Sequence, residues 1–341
     1  MLSSGWLMLQ SAPTERDVAA RLDQLARLRG AIGQAIVGQG EVVEQLLIGL
    51  LAGGHCLIEG VPGLGKTLLV RTLGQALALD FRRVQFTPDL MPSDILGTEV
   101  LEEDHGTGHR HFRFQKGPVF TNLLLADELN RTPPKTQAAL LEAMQEHTVS
   151  YAGVTHRLSE PFFVLATQNP LEQAGTYPLP EAQLDRFLLN IRVGYPSAAE
   201  EREILVQTTG GAGASVPRVM QGPDIVELQR WVREVYLSDA LLSWINALVR
   251  ASRPSPEAPH AVQQYVRWGA GPRAGQALVL ASKARALLHG RLAATREDVT
   301  ALAAPVMRHR ILLSFAAEAE RKTTDDVVAA LLAALPAPAP G

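Results

Sequence analysis

Residues Gly60-Val61-Pro62-Gly63-Leu64-Gly65-Lys66-Thr67 match G-x-x-x-x-G-K-[ST] at every constrained position, and no other feature limits the fold as tightly. The apolar run His55-Cys56-Leu57-Ile58-Glu59 precedes the motif and a helical run from Leu68 to Leu77 follows it. A strand, a glycine-rich turn and a helix in that order let the backbone wrap a phosphate chain, with successive N–H groups and the helix start facing the anion. Lys66 would reach the outer phosphates and the Thr67 hydroxyl would ligate Mg2+. A chance glycine-rich turn with a surface lysine would lack these flanks.

Two further elements belong with this cradle. Leu123-Leu124-Leu125-Ala126-Asp127-Glu128 reads as a buried strand ending in adjacent acids. Paired carboxylates repel and desolvate poorly, so the pair has little structural rationale. Beside the P-loop strand, Asp127 would hold Mg2+, directly or through water, and Glu128 would polarise an attacking water. As a helix cap alone Asp127 would be unremarkable. Asn169, in Ala166-Thr167-Gln168-Asn169-Pro170, follows another apolar run at the level where it could orient water against a γ-phosphate. Taken alone, Asn-Pro is a turn signal.

The rest of the 341 residues fits around these parts. Strand-length apolar runs at His55–Glu59, Arg83–Phe86, Asn122–Ala126, Phe162–Ala166 and Leu188–Val193 alternate with helical stretches or insertions. This predicts an α/β fold with a five-stranded parallel sheet covered on both faces. Residues 98–116 and 147–160 read as two inserted β-hairpins, the second turning at Ala152-Gly153. After Tyr195-Pro196 the pattern becomes all-helical, opening on the capping-box pair Ser197 and Glu200. The expected division is a terminal segment 1–13, a nucleotide-binding domain 14–195, a helical lid 196–335 and a tail 336–341. With aromatics at 5% the core is expected to be aliphatic, and Cys56, the single cysteine, reads as a small buried hydrophobe.

Charge and hydropathy narrow the partners. A formal net charge of −3 offers no field to draw in nucleic acid or an anionic membrane. No apolar run approaches the roughly 20 residues of a membrane span. The first residues lack the basic and apolar regions of a secretory signal, so a cytoplasmic location is expected. Arg82-Arg83, Arg131 and Lys135 read as solvated or phosphate-facing charges, since no aromatics interleave them. His105, His109 and His111, with Glu102, Glu103 and Asp104, could bind a transition metal or form a solvated hairpin tip.

Taken in order, Gly60–Thr67, Leu125-Ala126-Asp127-Glu128-Leu129-Asn130-Arg131 and Thr167-Gln168-Asn169-Pro170 closely resemble the MoxR family of AAA+ ATPases. So does Gly175-Thr176-Tyr177-Pro178-Leu179-Pro180-Glu181-Ala182-Gln183-Leu184-Asp185-Arg186-Phe187, the most specific string, because no simple folding constraint demands it. The resemblance spans residues 15–335. Magnesium chelatase ATPase subunits and minichromosome-maintenance helicases are more distant relatives that share the two hairpins.

The resemblance implies an AAA+ core and lid, with ATP and Mg2+ as ligands and a homo-oligomeric ring, in the family a hexamer. It implies that Arg186 is an arginine finger directed at a neighbour's γ-phosphate. From the residues alone, Arg186 could equally be a surface side chain or a partner of Asp185. Arg273 matches the sensor 2 arginine, in cis or in trans, with Gly271 where the family more often has serine. Ile36-Val37-Gly38-Gln39 resembles the segment against adenine; a helix-ending glycine is the plain alternative for Gly38. Three functions compete: a remodelling ATPase for client proteins or metal-cofactor enzymes, often with a partner carrying a von Willebrand factor A domain; a nucleic-acid motor or loader; and a nucleotide-gated scaffold without turnover. The complete set of Mg2+ and water-positioning residues favours turnover, and the lack of a basic tract disfavours nucleic acid.

Overall fold

A computed structural model describes residues 15–103, 110–169, 175–209 and 216–337. Helices α1 (Glu15–Ala35) and α2 (Gly40–Leu51) precede strand β1 (Cys56–Glu59), which the P-loop joins to α3 (Lys66–Ala76). Strand β2 (Phe81–Gln85), the short helix α4 (Pro92–Leu96) and a hairpin of β3 (Gly97–Glu103) and β4 (Arg110–Lys116) lead to β5 (Leu123–Asp127). Next come α5 (Pro134–Glu146), the second hairpin of β6 (Thr148–Tyr151) and β7 (Val154–Arg157), then β8 (Phe163–Gln168), α6 (Glu181–Leu184) and β9 (Leu189–Arg192).

The main sheet has the order β2-β5-β8-β1-β9 and is parallel throughout. Side chains alternate across it, because successive residues of a strand point to opposite faces. Cys56, Ile58, Leu123, Leu125, Phe163 and Leu165 join the apolar cluster on one face. Leu57, Leu124, Ala126, Val164 and Ala166 join Phe86, Leu140, Met144 and Phe187 on the other. Both faces are covered, as the continuous apolar runs predict. Cys56 is fully buried, and burial pushes its thiol well above the ordinary range. It lies so close under α2 that a Cβ on Gly49 would collide with its Sγ, which accounts for a glycine inside that helix.

The two hairpins lie side by side. Phe114 of β4 stacks on His156 of β7, with ring centroids 4.4 Å apart, and approaches Tyr151 of β6 at 5.4 Å. The second hairpin turns at Ala152 and Gly153, both with positive φ, where the spacing predicts it.

Beyond β9 the chain forms α7 (Ala198–Thr209), α8 (Gly222–Glu234), α9 (Asp239–Ala251), α10 (His260–Tyr265), β10 (Val266–Trp268), α11 (Pro272–Leu288), α12 (Arg296–Met307), β11 (Leu312–Leu313), α13 (Phe315–Ala319) and α14 (Thr324–Ala334). The expected all-helical region therefore also holds a short antiparallel ribbon, β10–β11, too brief to leave a periodic signature. Leu25, Ile48, Leu248, Leu278, Leu302 and Leu331 share one cluster, so α1 and α2 pack against the lid helices as well as the sheet. Arg285 of α11 strengthens that junction, bonding Glu44 of α2 at 3.1 Å and the buried Asp298 of α12 at 2.7 Å.

His55, at the base of β1, knits three elements together. Val164 N–H donates to its Nδ1 at 3.0 Å, so Nε2 carries the proton and donates to Met144 O, also at 3.0 Å. Burial pushes its pKa down to about 4, the Met144 carbonyl draws it partly back, and His147 pushes it down again. The unfolded chain takes up this proton near pH 6.5, whereas the fold keeps His55 neutral to about pH 4. Its contribution to stability is therefore present above about pH 6.5 and lost as pH falls to about 4, on the order of 3 kcal/mol. Guanidinium midpoints measured at pH 7 and pH 4.5 should show the loss, and His55→Gln should flatten it. An equally steep profile in that variant would clear His55 of the effect.

Candidate functional site

The phosphate cradle forms where β1 gives way to α3. Gly63 and Gly65 take φ of 87° and 73°, a left-handed conformation that side chains disfavour. The turn therefore leads straight into the N-terminus of α3, whose first residues are Lys66 and Thr67. Lys66 Nζ donates to Gly60 O at 2.6 Å, folding back over the loop. Partial burial lowers the Lys66 pKa, while Asp127 and Glu128 oppose that shift from nearby. Gln39 Nε2 donates to Leu64 O at 2.9 Å, so the Ile36–Gln39 segment, with Val37 and Gly38, lies beside the cradle. Gly38 has φ of 73°, and a Cβ there would meet the Glu200 side chain of α7 at 2.6 Å. Val61, Pro62 and Leu64 complete the loop.

The acids stand together at the carboxyl end of β5, the end at which parallel α/β sheets bind ligands. Thr167 of β8 donates its hydroxyl to Asp127 Oδ1 at 2.6 Å and accepts the Glu128 N–H at 2.8 Å. Glu128 is held in a left-handed conformation, with φ of 58°. A non-glycine residue held there stores local strain, a feature that clusters at functional sites. Asn169 is buried immediately past β8.

Two side chains from edge strand β2 also reach the acids. Arg83 donates to Asp127 Oδ2 at 2.6 and 3.1 Å, and Gln85 donates to Glu128 Oε2 at 2.6 Å. Arg131 pairs with Glu128 at 3.1 Å. Arg83 and Arg131 are thus ion-paired to the acids while remaining partly exposed to solvent, as expected of solvated charges. The signal was present: an Arg-x-Gln pair at period two sits in a strand whose register sets Gln85 opposite Asp127.

Arg186 and Arg273 lie elsewhere. They line a cavity of about 240 Å³ with Gly53, Gly54, His55 and Arg310, at the amino ends of β1 and β9. From Gly54 to Gly60 the chain runs the length of β1, roughly 20 Å by strand rise. Asp185 is held by Arg310 at 2.7 Å and approached by Arg273 at 3.9 Å. Arg186 itself makes no ion pair among the described residues, so it is not the partner of Asp185. Arg310, which sequence reasoning missed, also donates to the backbone oxygens of Asp185, Phe187 and Leu188, fixing the turn that carries Arg186. Burial lowers its pKa against the pull of Asp185, and only this packing marks it out.

Among the described residues, no group of three His, Cys, Asp or Glu side chains could hold a metal ion. His105, His109 and Asp104 lie outside the described residues. No described helix is long and apolar enough to cross a membrane.

A P-loop and paired acids at the carboxyl ends of a β2-β5-β8-β1-β9 sheet, with two inserted hairpins and a helical lid, define a P-loop ATPase of the AAA+ class. The ATPase family associated with various cellular activities (AAA) matches residues 55–189, and the AAA lid domain matches residues 259–331. The chain is 42% identical over 312 residues to chaperone MoxR1 of Mycobacterium tuberculosis, spanning 91% of this chain and 81% of that one. It is 34% identical to protein MoxR of Paracoccus denitrificans, over 93% of this chain and 98% of that one. The crystal structure of a candidate ATPase from Cytophaga hutchinsonii superposes with a TM-score of 0.88 at 40% identity, over 95% of this chain and 97% of that one. The chain belongs to the MoxR family of AAA+ ATPases.

Proposed function

We propose that ATP hydrolysis occurs between two copies of the chain in a ring, and that the cycle drives remodelling or assembly of client proteins. One observation carries this reading: Arg186 and Arg273 share a face at the amino ends of the strands, a sheet's length from their own P-loop. Neither can serve its own cradle without dismantling the fold, whereas a head-to-tail neighbour would meet both. Arg273 then acts in trans, like the arginine finger Arg186.

Within one subunit, Lys66 and the N–H groups at the start of α3 would hold the phosphates. Thr67 and Asp127 offer a hydroxyl and a carboxylate, a donor set suited to Mg2+, which when bound would draw charge from the phosphate oxygens. Glu128 would take the proton of the attacking water, and Asn169 would orient that water. The Arg83 and Gln85 contacts would keep both carboxylates aimed. Val37 and Gly38 would lie against the base.

The chaperone role is supported by the name of the mycobacterial relative and by the net charge of −3, which gives nucleic acid little hold. A hexamer, a cytoplasmic setting and a partner with a von Willebrand factor A domain belong to the same proposal.

Turnover per subunit should rise with protein concentration and level off as rings form, with light scattering following the same curve. A flat specific activity from a monomer would refute the shared site. Lys66→Ala should weaken ATP binding about 10- to 100-fold, the worth of a charge-assisted contact to phosphate. Equilibrium titration with a fluorescent ATP analogue checks this, and an unchanged affinity would contradict the cradle assignment.

A further inference from the structure

Helix α7 has no buried residue among the described residues, although its last turns carry Leu205 and Val206, 59% and 62% exposed. Twelve residues make a marginal helix in water without a packing surface. Its beginning is fixed: Ser197 N–H donates to Glu200 Oε2 at 2.7 Å, Glu200 N–H donates to Ser197 Oγ at 3.4 Å, and the Glu200 side chain rests on Gly38. The helix therefore leaves the body beside the mouth of the cradle, carrying acidic Glu200, Glu201 and Glu203 before its apolar turns.

A groove of about 850 Å³ between α9 and α11 has the complementary character. Leu242, Val249, Val279 and Leu280 line it, and Arg250 and Arg253 stand in its wall. It adjoins the cavity of Arg186 and Arg273, with Gln276 and Leu280 lining both, and Pro272, next to Arg273, lines its end. Along α11 from Pro272 to Leu280 it extends about 12 Å, room for two turns of a helix.

We propose that α7 of one subunit docks in the α9–α11 groove of the next, Leu205 and Val206 entering between the helices and Glu201 and Glu203 meeting Arg250 and Arg253. This rests on the shared-site reading above. If Arg273 approaches a neighbour's cradle, its groove arrives at the place where that neighbour's α7 emerges. The contact closes the nucleotide seam with an apolar latch and couples the lid of one subunit to the nucleotide of another.

Cys56, the only cysteine, is buried, which leaves a clean background for disulfide trapping. Leu205→Cys and Ser243→Cys both fall on exposed positions. An equal mixture of the two variants with Mg-ATP under mild oxidation should give a disulfide-linked pair, which neither variant forms alone. Separately, Leu205→Asp with Val206→Asp should raise the concentration for half-assembly tenfold or more, with ATP affinity of the chain unchanged. Rings that form, and regain turnover on mixing Arg186→Ala with Lys66→Ala chains, yet show neither the link nor the assembly defect would overturn α7 docking and leave the shared site standing. A wild-type chain that never assembles would overturn both.

Discussion

Arg186→Ala should bind ATP as the wild type does and lose turnover by about a thousandfold or more. Arginine fingers contribute 10³–10⁵ by stabilising charge that develops on the transferred phosphoryl group, and ground-state binding draws little on them. Folding should survive, because Arg310 and not Arg186 holds the turn through Asp185, Phe187 and Leu188. The decisive measurement is a mixture. Arg186→Ala chains keep an intact cradle, and Lys66→Ala chains keep an intact finger, so an interface with the first as cradle and the second as finger is complete. Random assortment makes about a quarter of head-to-tail interfaces complete, and that share of wild-type turnover should return. Two inactive variants that stay inactive when mixed would remove Arg186 from the seam.

Glu128→Gln should hold ATP with nearly unchanged affinity and hydrolyse it roughly 10²- to 10⁴-fold more slowly, the usual worth of a positioned general base. The amide retains an oxygen that can accept from Gln85 and Arg131, so the side chain should keep its place while losing its basicity. ATP-loaded assemblies should therefore accumulate, visible as a larger species by light scattering after ATP addition. Single-turnover rates close to wild type would take Glu128 out of the reaction. The trapped assembly is also the best bait for a client: a von Willebrand factor A protein among the captured partners would support remodelling, and nucleic acid would favour a motor.

Much of the nucleotide site was legible in the chain because its parts are short and local. The P-loop needs glycines at the turn and a lysine at the helix start, and Gly63 and Gly65 take the left-handed turn with Lys66 opening α3, where their spacing predicts them. Two acids closing an apolar strand were equally readable, and Asp127 and Glu128 stand where β5 ends. The lid was readable as helices but not as a neighbour of α1 and α2, since a periodic apolar face does not say what it packs against. The ribbon β10–β11 and the buried Arg310 left no pattern at all.

By itself, then, the sequence determined the strands and helices around the cradle and the turn of the cradle itself, written in consecutive residues with fixed conformational demands. The tertiary structure decided what depends on strand order and length. Placing β2 beside β5 brought Arg83 and Gln85 onto the acids from about 40 residues away. The length of β1 set Arg186 and Arg273 at the far end of the sheet from their own Lys66. Such distances come from how strands stack and cross over, and no run of neighbouring residues encodes them.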